Sequence, residues 1–125
     1  MPYQLTYSLK PGYLEVDLRV AIVAEQELEE ALARWREVAG LCRTLDRTRV
    51  LVFMAFTGNH GVEVRFRLAK GAGDIGWSPD LKLAVVIADA QQFIEHQFTE
   101  TAMNSLEYEM KLFLKKRPAK KWLLA

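Results

Sequence analysis

The chain has 125 residues, of which 50% are hydrophobic, so it has the length of one domain and enough apolar surface for a core without disulfides or metal ions. Its 17 basic residues nearly balance its 16 acidic ones, which argues against a nucleic-acid-binding domain with an overall positive charge. The single cysteine, Cys42, excludes an internal disulfide and favours a reducing, cytoplasmic location. No apolar run approaches the roughly 20 residues needed to span a bilayer.

The first two elements are predicted to be the strands of a hairpin. Apolar and polar residues alternate over residues 4–9 and again over residues 13–20, and Lys10, Pro11 and Gly12 supply the turn between them. The second strand carries its aliphatic residues on one side, which we expect to face the core: Leu14, Val16, Leu18 and Val20.

A helix is predicted next, over residues 25–45, because its apolar residues recur at intervals of three and four. Acidic residues in its first turns and arginines later match the helix dipole, which indicates a structural role for these charges. Cys42 lies on the apolar stripe and is predicted to be a buried structural thiol. Two continuous apolar runs, residues 49–56 and 81–87, are predicted to be interior strands that lie side by side.

The remaining elements complete an alternating order of strands and helices. Residues 62–68 alternate like a strand, although Val62 and Phe66 would also allow a short helix. Asp89 is predicted to cap a helix, residues 108–114 to form the last strand, and Pro118 to lie in the first turn of a final helix. The prediction is a single α/β domain with a mixed, mostly parallel sheet of about five strands, an N-terminal β-hairpin and helices packed on the sheet.

Three segments of the sequence resemble the SpoIIAA-like family, which comprises small bacterial domains of the STAS/SEC14 type. They are EQELEEALARWREVAGLCRTLDRTRVLVFMAFTG, DLKLAVVIADAQQF and YEMKLFLKKRPAKKWLL. The resemblance rests on element order and hydrophobic layout rather than on a diagnostic motif. It implies that residues 61–70 form a helix.

The loop after the central strand is the first candidate for a binding site, because ligands of open α/β sheets meet the carboxyl ends of the strands. Its residues could offer hydrogen-bonding groups to an anion, although the same residue types also form plain turns: Thr57, Gly58, Asn59, His60 and Gly61. Trp77, in the glycine-rich connection of residues 71–79, is interpreted either as part of a mobile lid over an apolar cleft or as an anchor to the core.

STAS anti-sigma-factor antagonists carry a phosphorylatable serine in a similar loop, and phosphorylation there changes partner docking. The present chain has no serine at this place, so the resemblance leaves Thr57 as the hydroxyl that would be phosphorylated.

Catalytic and metal sites are not predicted. The two histidines, His60 and His96, lack the spacing of a zinc site, and His96 is interpreted as a surface or core-edge residue. The prediction is therefore a protein that is not an enzyme and has no cofactor.

The C-terminal segment is basic where the resembled family tends to be acidic. Its charged residues, together with Trp122, suggest contact with an anionic membrane surface or, alternatively, a solvated terminal helix: Lys115, Lys116, Arg117, Lys120 and Lys121.

The sequence therefore predicts a cytoplasmic binding or regulatory module. It would bind either a small apolar or lipid-like ligand or a protein partner. The protein partner could be a second copy of the chain, which would give a homodimer. A lipid carrier would require a large internal cavity.

Overall fold

The computed structural model describes residues 3–22, 27–57 and 62–125, with the backbone alone at residues 62, 63 and 65. Strands β1 (Tyr3–Lys10) and β2 (Tyr13–Ala21) form the predicted antiparallel hairpin. Gly12 turns the chain between them with a φ of 84°, which glycine adopts without strain. The hairpin is one edge of the sheet.

Three parallel strands complete the sheet. They are β3 (Arg49–Thr57), β4 (Lys82–Val86) and β5 (Glu109–Phe113), and the strand order is β1-β2-β3-β4-β5. The two continuous apolar runs are adjacent strands, with Val52 of β3 opposite Val85 of β4. The predicted mixed, mostly parallel sheet of five strands is confirmed.

In the described part of the chain, four α-helices connect or follow the strands: α1 (Glu27–Thr44), α2 (Val62–Lys70), α3 (Ala90–Ser105) and α4 (Lys116–Leu123). Residues 62–68, whose pattern allowed either a strand or a short helix, lie in helix α2. Val64 and Leu68 are half-buried and Ala69 is buried, which is helical spacing, so packing on the sheet prevails over the local alternation. Asp89 caps α3 as predicted, because its carboxylate accepts a hydrogen bond of 2.9 Å from the amide of Gln92.

The sheet has a core on each side. Helices α1, α2 and α3 cover the side that carries Leu14, Val52 and Val85, and Cys42 of α1 is buried there as predicted. Burial raises the pKa of the Cys42 thiol to about 11, so the thiol is protonated and unreactive at neutral pH. The other side has a smaller core, formed by α4 against the sheet: Tyr13, Leu51, Ala84, Val86, Ala119 and Leu123.

Helix α1 also buries an ion pair. Glu27 and Arg34 are both inaccessible to solvent, and the guanidinium donates two hydrogen bonds to the carboxylate, of 2.9 and 3.2 Å. Paired charges at this depth are stable only because each neutralises the other. The acidic first turn of α1 therefore has a second role beyond the helix dipole.

Candidate functional site

An apolar cavity of about 50 Å³ lies between the sheet and the helices that cover it. The sheet provides one wall, formed by side chains of β3, β4 and β5 and the residue after β4: Met54, Leu83, Val85, Ile87, Met110 and Leu112. The helices and their connections provide the other wall: Trp35, Leu68, Ala72, Ile75, Trp77, His96, Thr99 and Met103. Because these residues come from three strands, three helices and the connection after α2, the cavity forms only when the chain is folded.

Besides His96, two side chains bury a polar atom beside this cavity. The indole nitrogen Nε1 of Trp77 and the hydroxyl Oγ1 of Thr99 have no hydrogen-bond partner among the described residues, and the two side chains are only 5% and 8% exposed. A buried polar group without a partner costs about 1–3 kcal/mol. Such groups usually meet an ordered water or a ligand.

Trp77 is fixed in place by its neighbours. Its amide donates a 2.9 Å hydrogen bond to the carbonyl of Ala72, and its ring meets that of Trp35 edge to face, with the centroids 5.8 Å apart. The burial and packing of Trp77 agree with an anchor to the core, and its use as part of a mobile lid stays a prediction. The same anchored ring forms part of the cavity wall.

His96 lies at the edge of the core, as its sequence context indicated. Nδ1 donates to the carbonyl of Gln92 at 2.8 Å, and the ring stacks on Phe56 with the centroids 4.8 Å apart. Among the described side chains that line the cavity, the imidazole is the one titratable group, and none is a lysine or an arginine. The cavity therefore suits a neutral molecule better than an anion.

Thr57 lines a different feature, a wider depression of about 380 Å³ at the carboxyl ends of β2 and β3. Thr57 is exposed there beside Gln4 and Arg19, and its carbonyl accepts a 2.8 Å hydrogen bond from the amide of Ile22. No described residue lines both the depression and the apolar cavity. The structure therefore does not bring Thr57 and Trp77 together in one site.

The other residues of the predicted loop lie outside the described part of the chain: Gly58, Asn59, His60 and Gly61. Their proposed contribution to a binding site and the phosphorylation of Thr57 both stay predictions.

The five basic residues of the C-terminal segment are all exposed: Lys115, Lys116, Arg117, Lys120 and Lys121. Two of them are engaged with the sheet, since Lys116 Nζ lies 2.8 Å from Glu15 Oε1 and Lys120 Nζ lies 5.9 Å from the centroid of the Tyr13 ring. Trp122 packs against Phe113. The apolar side of α4 is therefore occupied by the sheet, as expected of a docked terminal helix, and contact with a membrane stays a prediction.

Two further features are absent from residues 3–22, 27–57 and 62–125: a metal-binding cluster and a membrane-spanning helix. No cluster of three or more histidine, cysteine, aspartate or glutamate side chains that could hold a metal ion occurs there. Nor does any helix of the described ranges have the length and apolar character needed to cross a membrane.

Sequence reasoning found Trp77 but missed Thr99. Nothing in the sequence marks Thr99, because a threonine inside an amphipathic helix ordinarily has its hydroxyl in water or on its own backbone. The one available signal was position: Thr99 is three residues after His96, on the side of α3 that faces the sheet.

Comparison with known proteins supports the fold. No protein-family model matches the chain, and no curated protein matches it. Among solved structures, it is similar to an uncharacterised protein of the DUF3478 family with a SpoIIAA-like fold from Shewanella loihica PV-4, with 14% sequence identity and a TM-score of 0.50. The similarity covers 97% of this chain and 93% of the other. At this identity the likeness bears on the fold alone: the chain has the SpoIIAA-like fold that its sequence predicted.

Proposed function

We propose that this protein is a non-enzymatic, STAS-like binding module whose apolar cavity takes a small, neutral, mostly apolar ligand with a hydrogen-bond acceptor. The observation that carries this proposal is a pair of buried donors, Trp77 Nε1 and Thr99 Oγ1, which have no hydrogen-bond partner among the described residues and lie in the wall of a mostly apolar cavity. An acceptor such as a hydroxyl, carbonyl or ether oxygen would recover the hydrogen bonding that these groups lose on folding.

The volume of the cavity limits the size of the ligand. An engineered cavity of about 150 Å³ binds benzene, and this one has about 50 Å³, so a long acyl chain does not fit without rearrangement. Met54, Met103 and Met110 line the cavity, and methionine side chains adapt to guests more readily than branched ones. This geometry favours a short, flexible aliphatic compound, admitted by adjustment of the methionine side chains, over a ring or a membrane lipid.

The proposal is tested by following the indole N–H signals of the three tryptophans by NMR while 1-pentanol is added. We expect the Trp77 signal to shift saturably, with a dissociation constant on the order of 1 mM. Trp122 is an internal control, because it lies on the other side of the sheet against Phe113. n-Pentane, which has no acceptor, should not produce the hydrogen-bonding shift of the Trp77 proton. If 1-pentanol leaves Trp77 unchanged, the proposed site is wrong.

Replacing the buried hydroxyl provides a test of the same cavity without ligand. Thr99→Val keeps the shape of the side chain and removes the unpartnered oxygen, so we expect the free energy of unfolding to rise by about 1 kcal/mol. Urea denaturation measures this change. Thr101→Val, at an exposed position two residues later, is the matched control and should change stability by less than about 0.5 kcal/mol.

The Thr99→Val protein should also bind 1-pentanol about fivefold more weakly, since it lacks one of the two donors. A loss of stability in Thr99→Val, with Thr101→Val unaffected, would mean that the Thr99 hydroxyl already has a partner in the free protein.

A further inference from the structure

The two edges of the sheet differ in how their backbone is protected. At the β5 edge, side chains of α3 accept hydrogen bonds from backbone amides: Glu100 Oε2 from the amide of Leu112 at 2.6 Å, and Asn104 Oδ1 from the amide of Met110 at 3.4 Å. These contacts occupy amides that another strand would need. The β5 edge is therefore closed to a further strand.

The β1 edge has no such protection. Along Tyr3–Lys10, no side chain of the described residues bonds to the backbone of the strand, and β2 is its one neighbour in the sheet. The strand pairs with β2 without interruption over eight residues, contains no proline or glycine, and has a single charge, at its last residue. A long, regular and nearly uncharged edge is the kind that pairs with another strand.

The apolar side of β1 is covered over half of its length. Tyr3 and Leu5 pack on the core, and the Tyr3 hydroxyl donates a 2.6 Å hydrogen bond to Glu37 of α1. Tyr7 and Leu9 continue the same side beyond the helix and are 50% and 49% exposed. The apolar strip of β1 thus has a covered half, Tyr3 and Leu5, and an uncovered half, Tyr7 and Leu9.

We propose that two copies of this chain pair antiparallel through their β1 edges, centred on Thr6, and form one continuous ten-stranded sheet. In this register Tyr7 lies opposite Leu5 of the second copy, and Leu9 lies opposite Tyr3 of the second copy. The uncovered half of each strip then meets the covered half of the other, beside the other copy's α1 helix. The apolar side chains of both copies stay on one side of the sheet, which a shift of one residue would reverse.

The polar side of the strand suits the same pairing. Gln4 lies opposite Ser8 of the second copy, and Thr6 faces its own counterpart, a cross-strand pair that stabilises antiparallel sheets. Lys10 falls outside the seven paired positions, so no like charges meet. One other register that keeps the faces matched is centred on Tyr7; it places the two exposed Tyr7 rings opposite each other and brings Lys10 into the pairing.

The first test is the mass of the protein in solution by light scattering at about 100 µM. We expect twice the chain mass of 14.3 kDa for the natural sequence and the single-chain mass for the double variant Tyr7→Lys/Leu9→Lys. Ile94→Lys, at a highly exposed position on α3, is the control and should remain dimeric. A natural protein that is monomeric at this concentration, or a double variant that stays dimeric, would overturn the proposal.

The second test reads the register. Thr6→Cys should form an intermolecular disulfide under mild oxidation, because opposed residues in antiparallel strands lie about 4.5–5.5 Å apart at Cα, within the range of a disulfide. Buried Cys42 does not compete. Gln97→Cys, exposed on α3, gives the rate of random collision. Faster cross-linking of Tyr7→Cys than of Thr6→Cys, or a Thr6→Cys rate no higher than that of Gln97→Cys, would contradict the register centred on Thr6.

Discussion

Replacing Arg34 with methionine is expected to lower the free energy of unfolding by about 3–5 kcal/mol. The change leaves the Glu27 carboxylate in the core of the domain without its bidentate partner, and removing one partner of a buried ion pair costs this much. Because a domain of this size has a total stability of roughly 5–15 kcal/mol, the variant should unfold at a much lower urea concentration. Equilibrium urea denaturation followed by circular dichroism measures the loss.

Two further variants separate the buried pair from the general effect of removing an arginine. Arg36→Met removes an exposed arginine from the same helix and should change stability by less than about 0.5 kcal/mol. The double variant Glu27→Leu/Arg34→Met removes both charges and should recover most of the loss, because apolar side chains often replace a buried ion pair without cost. If the double variant is as unstable as Arg34→Met, the loss of stability comes from packing rather than from the broken contact between Glu27 and Arg34.

Local sequence patterns were sufficient to predict most of the fold. The continuous apolar runs of β3 and β4 could be assigned to interior strands because short apolar runs of this kind are typical of strands covered on both faces. The Asp89 cap follows from one residue type at a helix start. Residues 62–70 were harder. Their alternation favours a strand locally, and the helix found there depends on the burial of Ala69, a tertiary contact.

The candidate site could be predicted only in part, for the same reason. Trp77 stood out as an aromatic residue in a glycine-rich connection, and it does line the cavity. Thr99 and the buried pair of Glu27 and Arg34 could not be recognised from the sequence, because a hydroxyl or a charge on an amphipathic helix ordinarily faces water. Their burial is decided by neighbours that are distant in sequence. Side-chain chemistry could be listed from the sequence, but which polar atoms lose water required the packed structure.

The cavity and the β1 edge are separate features of the molecule. The cavity lies under α2 and α3 on the β3–β5 half of the sheet, whereas the proposed dimer contact is at the opposite edge, on β1. Pairing of two copies would therefore leave both cavities accessible to a ligand, and the two proposals can fail independently. A dimer that does not bind 1-pentanol would contradict only the proposed ligand site. A monomer that binds 1-pentanol would contradict only the proposed dimer.

Replacing Leu123 with alanine is expected to lower the free energy of unfolding by about 2–5 kcal/mol, because this leucine is fully buried between α4 and the second face of the sheet. Thermal and urea denaturation measure the change. The neighbouring residue is the matched control: Leu124 is 37% exposed, so Leu124→Ala removes the same atoms from a partly hydrated position and should cost less than about 1 kcal/mol.

The contrast between the two leucines also tests how α4 is used. If α4 leaves the sheet in solution and is free to lie on an anionic surface, neither leucine is held in a core and both replacements should have the same small effect. If α4 stays docked, as the packing of Trp122 on Phe113 and the ion pair of Lys116 with Glu15 indicate, only Leu123→Ala should be strongly destabilising. Any attraction of the basic helix to an anionic partner would then depend on its exposed lysines and arginine rather than on insertion of its apolar side.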